Sequence, residues 1–459
     1  MTLKSGLIIL IATTLLANWQ HASADEKLSH DNKTEIINKL AEALKNKYVL
    51  IDEGIKFGEE IAALNKAGNF EQTSNKEDFV EQVNKSLYRI TNDKHISLRP
   101  EVAGQSGGMV RRIGGPESGG QAPTARRMVR VPSQNGQSLK AMMGLPDTAS
   151  LYTEILPGNI GLLTVHDLLG TTEGVDRAMA ELADTDGLII DVRQCPGGSG
   201  NIAGQISSYF LAEGEEIMRM HTRGQDVMIN RSVALPKGAK RYLDKPFYLV
   251  TSPFTGSACE ALSFALKYHD LGIVYGETTA GAGHASTQGL TPIGYGLSAF
   301  IPNSKPEHPK HKGGFEKVGV SPDIETNSVV AVDQAHQMIL SQLLEKNKND
   351  SQLAEAIISV TSKVNQTLLE QVANSKAHAD LLGQYDEQYK IIMDRGQLKL
   401  IGSSGRKYPL KKIEKDLFDM VYARNGQKIQ IKRDEHSRVT GISLSPRKGQ
   451  TAWKYKQKI

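Results

Sequence analysis

Apolar positions recur along this chain at two spacings, and the change between them divides the chain into regions. In the N-terminal part they lie three to four residues apart, as at Ile36, Leu40 and Leu44, which is the spacing of one helix face. Later, short apolar runs such as Leu188–Val192 alternate with helical patterns, which predicts an α/β core with a partly parallel sheet. Toward the C-terminus, alternating strands separated by turn pairs predict an antiparallel meander or barrel. The predicted regions are an N-terminal α-helical domain (25–100), an α/β core (146–330), a helical connector (331–378) and a small antiparallel β domain (379–459).

Two further segments lack the pattern of a folded domain. Residues 1–24 have the form of a secretory signal peptide: Lys4, an apolar stretch too short to cross a membrane, and Ala22-Ser23-Ala24 as the cleavage site. We therefore expect an exported protein, periplasmic or extracellular, without a stable membrane anchor. Residues 101–145 are rich in Gly and Arg, which predicts a flexible insert or linker.

One strand-to-helix turn has the pattern of a nucleophile site. Phe247–Val250 predicts a short buried strand, turn-forming residues follow, and helical spacing begins at Ser257. A helix N-terminus presents free amide protons, so the Ala258 N–H is placed to stabilise an oxyanion beside a Ser257 nucleophile. The alternative from the pattern alone is that Ser257 is an N-cap, a role that serine fills often.

A glycine loop and two cysteines lie in the same two segments of the core. Pro196-Gly197-Gly198 follows a predicted strand, and glycines there leave backbone N–H groups open to a ligand; a plain glycine turn is the alternative. We expect Cys195 and Cys259 to be two small buried thiols. A disulfide between them is the alternative, because spacing cannot show how closely their Cα atoms approach.

Three stretches resemble the core of the tail-specific serine peptidases. They read GLIIDVRQCPGGSGNIAGQISSYFL from Gly187, TGSACE around Ser257, and GETTAGAGH from Gly276. That superfamily includes the C-terminal processing peptidases, the tricorn core and the repeats of interphotoreceptor retinoid-binding protein. The chain is identified as a member of the branch that contains the last two. The resemblance runs from about residue 35 to residue 325 and implies a ClpP/crotonase-like layered sheet for the core.

The resemblance also implies roles for single residues. Ser257 corresponds to the nucleophile, and His95, in a D-x-H-x-x-L motif, corresponds to the catalytic base. Ala282 stands where the Lys-dyad members have their lysine, so a Ser–His arrangement is implied. Glu316 corresponds to the acid that orients the histidine, and we expect its charge to raise the histidine pKa. The other implied residues are the oxyanion donors, Gly197 or Gly198 together with Ala258, and His284 as a substrate contact or alternative base.

The function that follows is an exported serine peptidase acting on peptides or proteins through an acyl-enzyme. The resemblance implies no cofactor, no metal and no PDZ domain. A net charge of +4 gives no indication of nucleic-acid binding. Two alternatives share the scaffold: a non-proteolytic protein that binds a hydrophobic ligand such as a retinoid or lipid, and an esterase. The pattern does not indicate an oligomeric state.

Overall fold

The computed structural model describes residues 28–101, 150–376, 378–402, 405–423, 426–446 and 453–459. The helices within these ranges are α1 (His30–Lys47), α2 (Ile51–Lys66), α3 (Lys76–Thr91), α4 (Thr172–Glu181), α5 (Gly200–Ser208), α6 (Ala258–Tyr268), α7 (Ala331–Lys346) and α8 (Ser351–Lys376). The strands are β1 (Ser97–Pro100), β2 (Leu151–Leu156), β3 (Ile160–Val165), β4 (Gly187–Asp191), β5 (Glu216–Thr222), β6 (Met228–Arg231), β7 (Phe247–Thr251), β8 (Ile273–Gly276), β9 (Leu290–Gly294), β10 (Leu297–Phe300), β11 (Ser304–Glu307), β12 (Ile324–Glu325), β13 (Gly383–Tyr385), β14 (Tyr389–Asp394), β15 (Gln397–Ile401), β16 (Lys407–Glu414), β17 (Leu417–Met420), β18 (Lys428–Arg433), β19 (Val439–Leu444) and β20 (Lys454–Gln457). The predicted signal peptide and, apart from Glu101, the predicted insert lie outside the described residues.

The chain forms two compact units. The smaller unit contains the described residues of the segments 28–101, 221–227 and 284–305. The larger unit contains those of 150–220, 228–283 and 306–459.

The smaller unit packs three helices with a three-stranded sheet. Helix α1 begins at Ser29, whose side chain accepts a hydrogen bond from the Asn32 N–H at 3.1 Å, and α3 begins at Asn75 in the same way. The apolar positions of α1 at a spacing of three to four residues are buried, as the pattern predicts. The sheet has the order β1-β10-β9 and is antiparallel throughout. Its inward side chains and those of the helices form one apolar core.

A six-stranded sheet with helices on both faces forms the centre of the larger unit. The strand order is β12-β8-β7-β4-β3-β2, and all neighbours are parallel except β2 and β3. Successive side chains of a strand point to opposite faces. Leu188 and Ile190 therefore pack in the core with α4, α5 and α6, whereas Ile189 packs in the core with α7 and α8. Burial on both faces explains why these strands are continuous apolar runs.

The C-terminal strands form an antiparallel barrel in the same unit. Strands β13 to β20 pair in chain order, and a bridge between Tyr385 and Lys458 joins the first strand to the last. The Asp386 N–H also donates to the Gln457 carbonyl at 2.8 Å. Closure of this kind leaves no free sheet edge. Apolar side chains, among them Phe418 and Ile442, fill the interior.

The predicted fold class is confirmed: a helical N-terminal region, a layered α/β core and a C-terminal antiparallel β domain. Individual element ends differ by one residue. The strand predicted over Phe247–Val250 extends to Thr251, and the apolar run Leu188–Val192 corresponds to the strand Gly187–Asp191. Among the helices described, none combines the length and the apolar character that crossing a membrane requires.

Candidate active site

The turn between β7 and α6 is tied to the segment that follows β4. The Thr255 hydroxyl donates to the Val192 carbonyl at 2.9 Å, and the Gly256 N–H donates to the Cys195 carbonyl at 2.9 Å. The Ser252 hydroxyl donates to a third carbonyl of that segment, at 2.6 Å. Two neighbouring parallel strands thus present their C-terminal loops as one hydrogen-bonded structure, which fixes the path of the chain into Ser257.

Ser257 is the N-cap of α6 and has an unusual backbone conformation. Its φ is +50° and its ψ is −119°, a region that residues other than glycine seldom occupy. Such a conformation costs on the order of 1–3 kcal/mol and persists where surrounding contacts determine it. The Ser257 N–H donates to Glu260 Oε2 at 2.8 Å. The serine is therefore an N-cap, but one held in a conformation that an ordinary cap does not need.

Glu260 joins this serine to the loop after β8. Its carboxylate is fully buried and accepts four hydrogen bonds of 2.6–2.8 Å. The donors are the N–H groups of Ser257, Gly281 and Ala282 and the hydroxyl of Thr279. Burial raises the pKa of Glu260, and the four donated hydrogen bonds oppose that rise. Sequence analysis did not single out Glu260, although a Ser followed three residues later by Glu is the capping-box spacing.

The two glycines of the predicted oxyanion loop lie against different neighbours. A Cβ at Gly197 would be 2.7 Å from the Ser257 Cβ and 3.1 Å from the Ala258 nitrogen. A Cβ at Gly198 would instead be 2.5 Å from the carbonyl oxygen of Leu168. Both glycines have positive φ, +115° and +144°. Only glycine permits this approach, which brings the Gly197 backbone against the nucleophile candidate.

Cys195 and Cys259 form a disulfide, so the expectation of two buried thiols is wrong. Their Cα atoms are 6.2 Å apart, within the range that a disulfide needs. One cysteine precedes the glycine loop and the other lies in the first turn of α6. The bond therefore joins the loop of the candidate oxyanion donors to the helix that begins after Ser257.

Glu316, the predicted orienting acid, lies in the larger unit. Its Oε2 accepts a hydrogen bond from the Gly283 N–H at 2.6 Å. The neighbouring Lys317 N–H donates to the Gly281 carbonyl at 2.9 Å. Glu316 is thus part of the contacts that hold the loop in which Ala282 stands.

His95 lies in the smaller unit, between α3 and β1. Its backbone N–H donates to Asp93 Oδ1 at 2.8 Å, and its ring is 5.8 Å from the ring of Phe300. Asp93 is 1% exposed, and its Oδ2 accepts a hydrogen bond from the Tyr48 hydroxyl at 2.9 Å. His284 is also buried here, with Nδ1 3.3 Å from Asp93 Oδ2 and 3.0 Å from the Tyr48 oxygen. The two histidines that the sequence singles out thus share Asp93 as a neighbour.

Burial and the Asp93 carboxylate have opposite effects on the pKa of His95. Burial lowers the pKa of His95 and outweighs the Asp93 charge, which raises it. The expected rise in the histidine pKa is therefore wrong in direction. Burial acts to raise the pKa of Asp93, but hydrogen bonds from His284 and from the His95 N–H hold it below its usual value. At neutral pH this arrangement favours an ionised Asp93 beside a neutral His95.

The predicted site residues thus fall into two groups. Ser257, Ala258, Gly197 and Gly198 come together in the larger unit, which also contains Glu316. His95 and His284 belong to the smaller unit. The triad of Ser257, His95 and Glu316 stays a prediction.

Two protein-family models match the chain. Peptidase family S41 matches residues 159–326, which contain the glycine loop, Ser257 and every strand of the six-stranded sheet except β2. The N-terminal domain of Peptidase_S41 in eukaryotic IRBP matches residues 27–107, which contain α1 to α3 and His95. Together the matches span more than half of the chain. The chain belongs to peptidase family S41. The predicted tail-specific peptidase family is thereby confirmed.

Curated relatives of this S41 chain are similar to part of it. The carboxy-terminal processing protease CtpA of Bacillus subtilis is 29% identical over 144 residues, 30% of this chain and 29% of that protein. The "Probable CtpA-like serine protease" of Staphylococcus aureus is 27% identical over 133 residues, 28% of this chain and 26% of that protein. The chain therefore spans less than a third of the length of these relatives.

The solved structures to which the chain is similar are more distant in sequence. The photosystem II D1 C-terminal processing protease is 15% identical, with a TM-score of 0.41 over 65% of this S41 chain and 94% of that chain. The tricorn protease is 16% identical, with a TM-score of 0.37 over 73% of this chain and 37% of that chain.

Proposed function

We propose that this chain is an exported serine peptidase that cleaves peptide bonds through an acyl-enzyme on Ser257. The observation that carries the proposal is the backbone of Ser257. It has positive φ at the start of α6 and packs against Gly197, in a family whose name denotes peptidases. A structural N-cap needs neither the strained conformation nor the close approach of a glycine loop.

The proposed mechanism assigns one step to each group. The Ser257 Oγ attacks the peptide carbonyl while His95, neutral at the start, takes the hydroxyl proton. The N–H of Ala258 and an N–H of Gly197 or Gly198 stabilise the oxyanion. The proton passes from His95 to the leaving amine, and the C–N bond breaks to leave the acyl-enzyme. Water then attacks the acyl carbonyl while His95 accepts its proton; the ester bond to Ser257 breaks, His95 returns the proton to the Ser257 Oγ, and the carboxylic acid product leaves.

Two acids have different roles in this proposal. Glu316 orients the His95 ring, as the family resemblance implies. Asp93 holds the backbone of His95, because its Oδ1 accepts the His95 N–H. The charge of Asp93 also opposes the effect of burial on the His95 pKa.

Export is part of the same proposal. The Cys195–Cys259 disulfide supports it, since structural disulfides persist mainly in oxidising compartments. A periplasmic or extracellular location agrees with the signal-like sequence of residues 1–24. The substrates are peptides or proteins, and the absence of a PDZ domain stays a prediction.

Hydrolysis of unfolded protein and peptide substrates by the full chain tests this function. We expect cleavage by wild type and loss of cleavage in Ser257→Ala. The exposed Ser341→Ala on α7 is the matched control, and we expect it to cleave at the wild-type rate. Cleavage of simple esters but no peptides would favour the esterase alternative. Tight retinoid or fatty-acid binding without cleavage would favour the carrier alternative.

A further inference from the structure

The C-terminal barrel contacts the loop that leads into Ser257. Phe254, three residues before the serine, has its ring 5.2 Å from the ring of Tyr408 in β16 and 5.2 Å from that of Tyr422 after β17. The guanidinium of Arg406 lies 5.1 Å from the centre of the same ring. Aromatic pairs at such distances are attractive beyond the area that they bury, and a cation over a ring face adds to the attraction. The barrel thus holds the Phe254 side chain from several directions.

A second contact joins the barrel to the start of the same loop. Lys399 in β15 is 1% exposed, and its Nζ lies 2.7 Å from Glu277 Oε2, just after β8. The backbone carbonyl of Glu277 accepts a hydrogen bond from the Thr251 hydroxyl at 2.9 Å, and its N–H donates to the Thr251 carbonyl at 3.2 Å. Thr251 is the last residue of β7, where the loop begins. Lys399 therefore acts on that end of the loop through Glu277.

The two contacts lie at the start and in the middle of the segment from Thr251 to Ser257. Its backbone must deliver the serine into a conformation that the isolated chain does not favour. A buried ion pair contributes little net stability compared with apolar packing, but it specifies one geometry. Lys399 Nζ also lies 3.2 Å from Asp394 Oδ2, which further fixes the position of its charge. The Lys399–Glu277 pair is therefore better suited to fixing position than to adding stability.

The barrel has a filled apolar interior of its own, and its first and last strands pair. Its aromatic contact nevertheless lies on Phe254 of the nucleophile loop rather than on a remote surface of the core. This placement distinguishes a role at the site from the ordinary attachment of an accessory domain.

We propose that the C-terminal barrel is a positioning module for the nucleophile. Tyr408 and Tyr422 pack against Phe254, and Lys399 forms an ion pair with Glu277. These contacts hold the loop after β7 so that it presents Ser257 for attack. Phe254, Tyr408 and Tyr422 are positioning residues, because they act through the backbone of the loop. The inference rests on the proposed function of Ser257. It adds that the reactivity of this serine depends on a domain outside the part matched to the family.

The test measures the second-order rate of fluorophosphonate labelling of the full chain, together with its melting temperature. The main variant is Tyr408→Leu/Tyr422→Leu, which removes both rings. The conservative variant Tyr408→Phe/Tyr422→Phe keeps them. Tyr455→Leu is the control, since it removes a tyrosine ring from the same barrel where that ring packs over Gly441. Phe254→Leu removes the ring that the barrel contacts and leaves every barrel residue unchanged.

We expect labelling of the Leu/Leu variant and of Phe254→Leu to slow by about tenfold to 100-fold at temperatures where both are folded, since small misplacements of a reacting group have effects of that size. The Phe/Phe variant should label at the wild-type rate, and so should Tyr455→Leu even if its melting temperature falls. For peptide cleavage, kcat should fall while KM changes little.

Wild-type labelling by folded Phe254→Leu would overturn the inference and leave the proposed function intact. Wild-type protein that is not labelled at all would instead overturn the proposed function, and the inference with it.

Discussion

At the residue scale, several contacts converge on the backbone of Ser257. Glu260 accepts its N–H, the Gly197 backbone packs against its Cβ, and Cys259 anchors the first turn of its helix. Glu260 and Cys259 are neighbours in α6, whereas Gly197 belongs to the loop after β4. Together they explain how a non-glycine residue keeps positive φ at this position. They also identify which substitutions near the serine should affect its reactivity.

Gly197→Ala should abolish reactivity at Ser257. The new Cβ would lie 2.7 Å from the Ser257 Cβ, closer than real contacts allow, at a φ of +115° that alanine avoids. Gly200→Ala, three residues later, is the matched control, because a Cβ there meets nothing within 4 Å. We expect peptide cleavage to fall by at least about 100-fold in Gly197→Ala and to stay near wild type in Gly200→Ala. Equal cleavage by the two variants would show that Gly197 does not shape the site.

Asp93→Asn should move the acid limb of the pH–rate profile to lower pH. The proposed mechanism needs neutral His95, so the rate falls as the pH drops through the His95 pKa. Burial lowers that pKa, and the Asp93 charge raises it. Removing the charge therefore lowers the pKa further, and neutral His95 persists to lower pH. The profile of kcat/KM is the measurement, with the exposed Asp52→Asn as control. A limb that moves to higher pH would contradict the assignment of His95 as base.

At the element scale, covalent and hydrogen bonds join three loops around α6. The disulfide links α6 to the loop after β4, and Glu260 links it to the loop after β8. Two further contacts, of Phe254 with Tyr408 and of Glu277 with Lys399, join these loops to the barrel. All three loops follow the C-terminal ends of neighbouring parallel strands, where α/β folds usually have their sites.

Removing the disulfide should lower both stability and reactivity. The two cysteines are 64 residues apart, and the chain-entropy estimate for a loop of that size is about 4 kcal/mol. We expect Cys195→Ala/Cys259→Ala to lose up to about this much free energy of unfolding in urea titrations. Its peptide cleavage at low temperature, where it is folded, should also fall. Wild type treated with a reductant should reproduce both effects. Unchanged stability and cleavage after verified reduction would show that the bond has neither role.

The elements differ in how far the sequence predicts them. Strand β7 and helix α6 were predictable, because an apolar run changes to helical spacing at Ser257. Strands β16 and β20 were missed, because lysines interrupt their apolar pattern, as in Lys407–Glu414. The disulfide depends on a Cα distance that sequence spacing does not contain. Glu260 had a local signal, but its bonds to Gly281 and Ala282 arise only from the tertiary fold.

For the whole molecule, the predicted site residues are divided between the two compact units. The larger unit supplies Ser257 and the candidate oxyanion donors, and the smaller unit supplies His95. The family resemblance names all of these residues. Neither composition nor periodicity would have selected His95, which stands among charged residues in sequence and is part-buried beside Asp93 in the fold. The contact between the barrel and Phe254 was also beyond prediction, because it joins residues more than 150 positions apart.

The central claim is that Ser257 is a nucleophile activated by His95. Fluorophosphonate labelling followed by peptide mass spectrometry tests it most directly. We expect one adduct, on Ser257, in wild type and no adduct in Ser257→Ala. In His95→Ala the labelling rate should fall by at least on the order of 10⁴, as loss of a base does in comparable triads. An adduct of equal yield in Ser257→Ala, or wild-type labelling in His95→Ala, would contradict the account.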